Sequence, residues 1–480
     1  MVKMSIPLII VSMYIVLLFA ISFYARHRAS KNSAGFLLAG RELNTAMVAV
    51  NIAGVAVGAA STIGVAENAF QVGMAAGWYT AAWAAGAVAM GMIGAKRYRE
   101  VEVTTLPQFF EHYYDAKGRT ASVFGLIIIQ LVITSLQYLA GGAILSALLP
   151  DIFSMESGMY TSAVVFIGVT LIGGLWSSGL ANIVSITLIY FGIIISTFEV
   201  VSREGGLTQL AANLPPSTDW FGPVGGLGLA TITGWFVVMI TQSLSAQGPV
   251  QVACAAKTAT TAKRGFLWGA VLVFPIGFLC ALLGLSAKVS YPSIQATMAL
   301  PHIIMSLHPV LSGITLAALW AVDVSTACHL LLGAGALFSQ DIYKRFLHPG
   351  ISEKNYLLVN RLSVLILGLL TLYFAFHAVG ILKTLLVGLS LTTAFTLVFL
   401  CTLFLPSLCR KSSAFYTTIA GIAVLIVWQF IPAARVFSHP IYLEWLVCLL
   451  TFALTALLDK RHITDYNEPD VPLIGAMVKS

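Results

Sequence analysis

Charge is what this chain has least of. Asp, Glu, Lys and Arg make up 9% of its 480 residues, against 58% hydrophobic ones, and so thin a charged coat cannot cover that much apolar surface in water. The scarcity excludes an ordinary water-soluble domain and predicts an all-α polytopic membrane protein. Cysteine is sparse too. Cys254, Cys280, Cys328, Cys401, Cys409 and Cys448 sit in or beside apolar segments with no CxxC pair, which excludes a disulfide framework and a thiolate metal site and leaves them as small packing residues. Long polar stretches are missing as well, so no attached enzyme or kinase domain is expected.

What is present is a series of apolar runs of the length that crosses a hydrocarbon core. Thirteen are expected, at 5–24, 44–70, 73–94, 120–148, 157–174, 181–203, 228–250, 264–288, 309–340, 359–378, 380–405, 413–431 and 440–458. The first has a weak basic leader and is followed at once by Arg26, Arg28 and Lys31, a pattern that stops transfer and predicts a retained anchor instead of a cleaved signal. The net charge of +7 raises the question of an acidic partner. Location answers it. With the N-terminus outside, 21 of the 26 basic residues fall on the cytoplasmic side, leaving Lys3, Arg203, Lys288, Lys383 and Arg435 for the other. The asymmetry is that of a protein oriented in a bilayer with an inside C-terminus, and no nucleic-acid partner is expected.

Nearly all of the acidic residues lie in loops or at helix ends; Glu67 and Asp323 do not. An ionised side chain inside a span costs roughly 2.5–3.5 kcal/mol, so such acids are candidates for function, with a hydroxyl-bonded structural carboxyl as the plain alternative. Glu199 and Glu444 lie near helix ends, where snorkelling to the interface is expected. On one helix Val322, Ser325 and Thr326 fall at i, i+3 and i+4, and His329 extends the stripe. A carbonyl and two hydroxyls on one face suit a hard monovalent cation such as Na⁺. The same pair is also compatible with ordinary back-bonding in a membrane helix. A cation site needs a second element with free carbonyls, and the run at 44–70, with Gly54, Gly58 and Gly64, is a candidate broken helix. Gly248-Pro249, after Gln242, Ser243, Ser245 and Gln247, marks a second interruption. Two interrupted helices, each opening a group of five, are the pattern of an inverted repeat.

Several segments are recognisable together. "AALWAVDVSTACHLLLGAGALFSQDIYKRFL" resembles the ninth helix of the solute:sodium symporter family, with Ser325-Thr326 followed by Asp341-Ile342-Tyr343-Lys344. "AGRELNTAMVAVNIAG" resembles the lead into that family's broken second helix, and "TTLPQFFEHYYDAK" its T-x-P-[EQ]-F segment. "IGGLWSSGLANIVSITL" is similar to its fifth-to-sixth helix hairpin and "VQVACAAKTATTAKRG" to the loop after its seventh helix. Thirteen spans with an outside N-terminus are also the arrangement of the bacterial sodium/proline symporter type. The resemblance implies a LeuT-type 5+5 inverted repeat: residues 1–37 an additional helix and loop, 38–405 the transport core with repeats 44–203 and 228–405, and 406–480 two further helices and a cytoplasmic tail.

It also implies Na⁺ as coupling ion, held by the carbonyls of Gly54, Val57 and Val322 and the hydroxyls of Ser325 and Thr326, with solute contacts near Ser61, Tyr79, Thr80, Trp83 and Gln247. Asn182 stands where relatives using a second sodium carry Asp, so one Na⁺ is expected. Gln251-Val252 replaces the family's usual Gln-Arg, and Thr392-Thr393-Ala394 its Ser-Pro-Gly. Asp323 and Glu67 match no ordinary family position. Asp323 admits three readings: a carboxylate ligand of Na⁺, a titrating group that makes transport pH-dependent with His329, or a structural acid bonded to a hydroxyl. Glu67 is read as lining an outer vestibule and favouring a solute with an amino group. The expected activity is uptake of a small organic solute, an amino acid or similar, across the plasma membrane by alternating access. Proton coupling on the same scaffold and a solute-binding sensor are the alternatives; no enzyme activity is expected.

Overall fold

The structure, a computed structural model, describes residues 6–29, 33–216, 218–377 and 381–463; Lys3, Lys31, Lys479 and the end of the tail lie outside them. Among the described residues β structure is limited to two isolated bridges, Leu43 with Ala256 and Arg410 with His462. Among the described residues nine helices are each long and apolar enough to cross a membrane. Two helix pairs qualify as further spans, each bent sharply at a short break: Thr45–Ala56 with Ala60–Val72 by 57°, and Leu229–Ser245 with Gln247–Ala255 by 46°.

The sequence places two runs at 157–174 and 181–203, whereas the structure forms one helical element, Met155–Arg203, of 49 residues. Straight, it would extend about 70 Å at ~1.5 Å per residue, more than twice a hydrocarbon core of ~30 Å. It is not straight. Gly174 adopts φ 53° and ψ −149°, a backbone that only glycine takes without strain, and a side chain there would strike the Phe36 carbonyl at 2.6 Å. The two expected runs are the arms on either side of this residue.

The centre of the molecule is the helix Pro309–Ala336, continued by a π-helical turn, Leu337–Leu347. Its apolar window is 94% buried, against 28% for the first and last spans, so it lies inside a wrapping of other helices. Met155–Arg203 and Ala116–Leu148 pack directly on it, and Ile6–Ala29 and Glu353–Phe376 also flank it. Small residues permit close approach: a methyl on Gly86 would meet the Met239 carbonyl at 2.4 Å, and one on Gly284 the Ala66 carbonyl at 2.4 Å.

Two polar features depart from expectation. The second break falls at Ala246, before Gly248-Pro249, because proline is tolerated in the first turn of the next helix, where its missing N–H has no helical acceptor to lose. Glu444 is not a snorkelling group: it is fully buried and accepts from Ser390 Oγ at 3.0 Å. The start of its helix, Pro440–Leu458, packs against Ile381–Ser390 instead of the interface. Glu199, by contrast, pairs with Arg203 one turn along its own helix.

The basic end of the molecule explains two motifs. In the T-x-P-Q-F segment, Gln108 Oε1 accepts from Thr104 N at 2.8 Å and Thr105 N at 3.3 Å, which starts the short helix Leu106–Tyr113. Thr105 Oγ1 donates to Asp341 at 3.1 Å, and Arg119 Nε to the same oxygen at 2.8 Å. Arg119 also pairs with Glu111, which meets Arg345 at 2.7 Å. The Asp-Ile-Tyr-Lys motif therefore anchors the central helix to the T-x-P-Q-F helix.

Candidate sodium and solute site

The helix Thr45–Ala56 starts on Asn44, whose side chain accepts from Met47 N at 2.9 Å, and stops where Val57 turns to φ −92°, ψ 75°. A helix end leaves its last carbonyls without amide partners. Here they are reassigned. After the last helical bond, from Val57 N to Ala53 O at 2.7 Å, Ala56 O takes the Ser61 hydroxyl and Gly54 O accepts from Thr326 Oγ1 at 2.6 Å with Ser325 Oγ 3.5 Å away. Across the break, Gln137 Oε1 accepts from Ala59 N at 2.9 Å. Gly58 is pressed so closely on the central helix that a Cβ would lie 2.5 Å from Thr326 Oγ1.

Gly54, Ser325 and Thr326, distant in sequence, thus converge, with Val57 at the break itself. Val322 lies inside the unbroken central helix, so its carbonyl is shared with its own turn. Asn182 joins them: it accepts from the Ser325 hydroxyl, and it stands against Gly54, where a Cβ would collide with it at 2.3 Å. His329 Nδ1 is 2.9 Å from the Ser325 carbonyl and 2.9 Å from Ser178 Oγ, and Nε2 is 2.8 Å from Asn51 Oδ1. Asn51 Nδ2 donates to Met47 O at 2.7 Å, leaving Oδ1 to accept, so His329 Nε2 is the donor. Asp323 is fully buried, and neither of its carboxyl oxygens has a hydrogen-bond partner among the described residues. The reading in which a hydroxyl ties it down finds no partner here.

Beside this cluster lies a cavity of about 40 Å³, lined by both breaks and by Tyr79, Trp83, Gln130, Gln137, Gln242 and Thr326 among others. Among the described residues no charged side chain lines it. Ser61 is buried next to Tyr79, whose neighbour is Trp83. Thr80 is turned away: it donates to the Phe274 carbonyl at 3.0 Å and accepts from Gly277 N at 3.1 Å, satisfying the bend around Pro275. Gln247 also faces elsewhere, accepting from Leu106 N and donating to Thr104 O, both at 3.2 Å. Its place at the cavity is taken by Gln242. Glu67 accepts from Ile381 N at 3.2 Å at the start of the helix Ile381–Ser390 and does not line the cavity. Gln130 and Gln137 were not expected, although two glutamines seven residues apart in an otherwise apolar run place both on one helix face.

Comparison with known proteins decides the family. The model of the "Sodium:solute symporter family" matches residues 36–421. The chain belongs to that family. This Na⁺-coupled solute symporter, a membrane transporter and not an enzyme, is 24% identical over 371 residues to the sodium/proline symporter of Haemophilus influenzae, covering 72% of this chain and 73% of the relative. It is 23% identical over 407 residues to the sodium/glucose cotransporter of Vibrio parahaemolyticus, covering 75% and 73%. In structure the symporter resembles a Na⁺-coupled sialic acid symporter in a substrate-bound outward-open state, at TM-score 0.79 and 17% identity over 95% of this chain and 98% of the other. It also resembles MHP1, a nucleobase-cation-symport-1 family transporter, at TM-score 0.62 and 13% identity over 88% and 92%. The fold is the LeuT type, with Na⁺ as coupling ion.

Proposed function

We propose that this symporter couples one Na⁺ to the uptake of a small zwitterionic solute, an amino acid or similar, through the plasma membrane. One observation carries the ion assignment: the Ser325 and Thr326 hydroxyls meet the Gly54 carbonyl that the helix break sets free. Hard oxygen donors converging from two helices fit Na⁺, and the family's pattern would add the carbonyls of Val57, at the break, and Val322. Asp323 lies on the same helix with no hydrogen-bond partner among the described residues, and a cation bound nearby would favour its ionised form. Asn182 is neutral, which favours a single ion.

The solute reading rests on the cavity. Among the described residues its walls carry amides and aromatic rings but no net charge, an environment that favours a solute without net charge. The end of Thr45–Ala56 presents carbonyls and the start of Gln247–Ala255 presents amides. Such half-helix ends attract an ammonium and a carboxylate respectively, which is the charge pattern of a zwitterion. Tyr79 and Trp83 complete the pocket, with Ser61 behind Tyr79. Alternating access follows if Na⁺ orders the break and so completes the solute site, with residues 44–203 and 228–405 as the two repeats. The distribution of basic residues supports a cytoplasmic C-terminus and an outside N-terminus.

The test is thermal stability of the purified protein across a solute library, in Na⁺ and in K⁺ at equal ionic strength and at several pH values. A zwitterionic solute that stabilises only in Na⁺, with the effect shifted to higher Na⁺ in Ser325→Ala and Thr326→Ala, is the expected result. Stabilisation that follows pH and ignores Na⁺ would overturn the site. Unchanged Na⁺ dependence in both variants would do the same.

A further inference from the structure

We propose that Gln247 is a positioning residue of the transport cycle: its side chain clasps the T-x-P-Q-F segment to the wall of the solute cavity, and its release opens the cavity at the basic end of the molecule. The inference rests on the alternating access proposed above, not on the choice of ion or solute. Gln247 is fully buried between Ala246 and Gly248, which line the cavity, yet it points away from it. Its Oε1 accepts from Leu106 N and its Nε2 donates to Thr104 O, both at 3.2 Å. Leu106 opens the helix Leu106–Tyr113, so its amide has no acceptor within that helix. One primary amide thus serves a donor and an acceptor two residues apart, which an apolar side chain there cannot do.

Between those two residues stands Thr105, whose hydroxyl donates to Asp341 at 3.1 Å. Three consecutive residues are therefore gripped from two sides, by the half-helix Gln247–Ala255 and by the end of the central helix. The cavity lies between the same two elements: Gly248 and Pro249 line it on one side, Thr326 and Leu330 on the other. While both grips hold, these walls cannot part at the basic end. The grips are unequal. Asp341 is held by Arg119 Nε at 2.8 Å, and Glu111 joins Arg119 to Arg345; charge-assisted bonds of this kind are about twice as strong as neutral ones. Gln247 makes two neutral bonds at the long end of the usual N–H···O range, so the half-helix side is the one that gives way. A solute in the cavity would bear on the residues either side of the clasp, which links occupancy to its release.

The experiment places spin labels at A116C, just past the helix Leu106–Tyr113, and T260C, just past the half-helix; both positions are exposed and the native cysteines are buried. Distances are read by pulsed EPR on the full-length protein in K⁺ without solute. Removing two net hydrogen bonds in Q247A is expected to raise the ratio of long to short distances about thirty-fold. Q247M keeps the length and the bulk against Gly333 but cannot donate and accepts only weakly, and it is expected to match Q247A. Y98F deletes a different bond beside the same break, from the Tyr98 hydroxyl to Leu244 O at 2.8 Å, and is expected to keep the wild-type ratio. A wild-type ratio in Q247M would overturn the clasp, whatever Q247A does. Equal opening in Y98F would mean a general loosening of the break and overturn it as well. Because neither Na⁺ nor solute is present, this result and the ion and solute assignments stand or fall separately.

Discussion

A methyl group on Gly58 would lie 2.5 Å from Thr326 Oγ1 and 2.7 Å from Gln137 Oε1. It would press on one side of the proposed ion site and on the amide that holds the break open. Overpacking of this kind costs about 1–3 kcal/mol, so Gly58→Ala is expected to raise the Na⁺ concentration for half-maximal stabilisation at least about fivefold. A Na⁺ titration of thermal stability in the inserted, monodisperse variant checks it; an unchanged midpoint would separate Gly58 from the site. At this scale the sequence was informative where chemistry is local. Ser325, Thr326 and Gly54 are legible because hydroxyl pairs and small residues have few roles inside a span. Gln247 and Thr80 mislead because their partners, the Thr104 and Phe274 carbonyls, are more than a hundred residues away.

Between residue and molecule stands the short helix Leu106–Tyr113, held to the central helix through Glu111, Arg119, Asp341 and Arg345. Burial pushes the Glu111 carboxyl up, but Arg119 and Arg345 outweigh it and hold the group below the usual glutamate value. A carboxyl depressed on docking stabilises the docked helix above its undocked value, about 4.3. The contribution is lost as pH falls through the depressed value. Amide exchange of residues 106–113, corrected for intrinsic rates, is therefore expected to rise as pH falls below about 4. Glu111→Gln should show the raised exchange already at neutral pH; wild-type protection in that variant would remove the ion pair from the docking. The sequence marked these elements by resemblance alone, since nothing local says that an Arg at 119 reaches an Asp at 341. The positions of the breaks were legible only to within a few residues, because Pro249 is accommodated in a first turn and Gly174 bends a helix without ending it.

Across the whole molecule, hydropathy and the distribution of Lys and Arg carry most of what can be read without a structure. They identify a multi-pass membrane protein because a bilayer imposes one rule on every span. They are silent about the interior, where Pro309–Ala336 is as apolar as a lipid-facing helix yet is wrapped on all sides. The proposed stoichiometry has an electrical consequence at this scale. One Na⁺ moving with a solute of zero net charge carries one positive charge inward per cycle, worth about 2.3 kcal/mol per 100 mV, or about fifty-fold in accumulation. Proteoliposomes with equal Na⁺ on both sides and an inside-negative K⁺ diffusion potential are expected to concentrate the solute found by stabilisation, and to stop when the potential is collapsed. Accumulation driven by a Na⁺ gradient but indifferent to the potential would mean that a second charge moves in compensation. In that case Asp323, a buried acid with no hydrogen-bond partner among the described residues, would be the first group to replace, as Asp323→Asn.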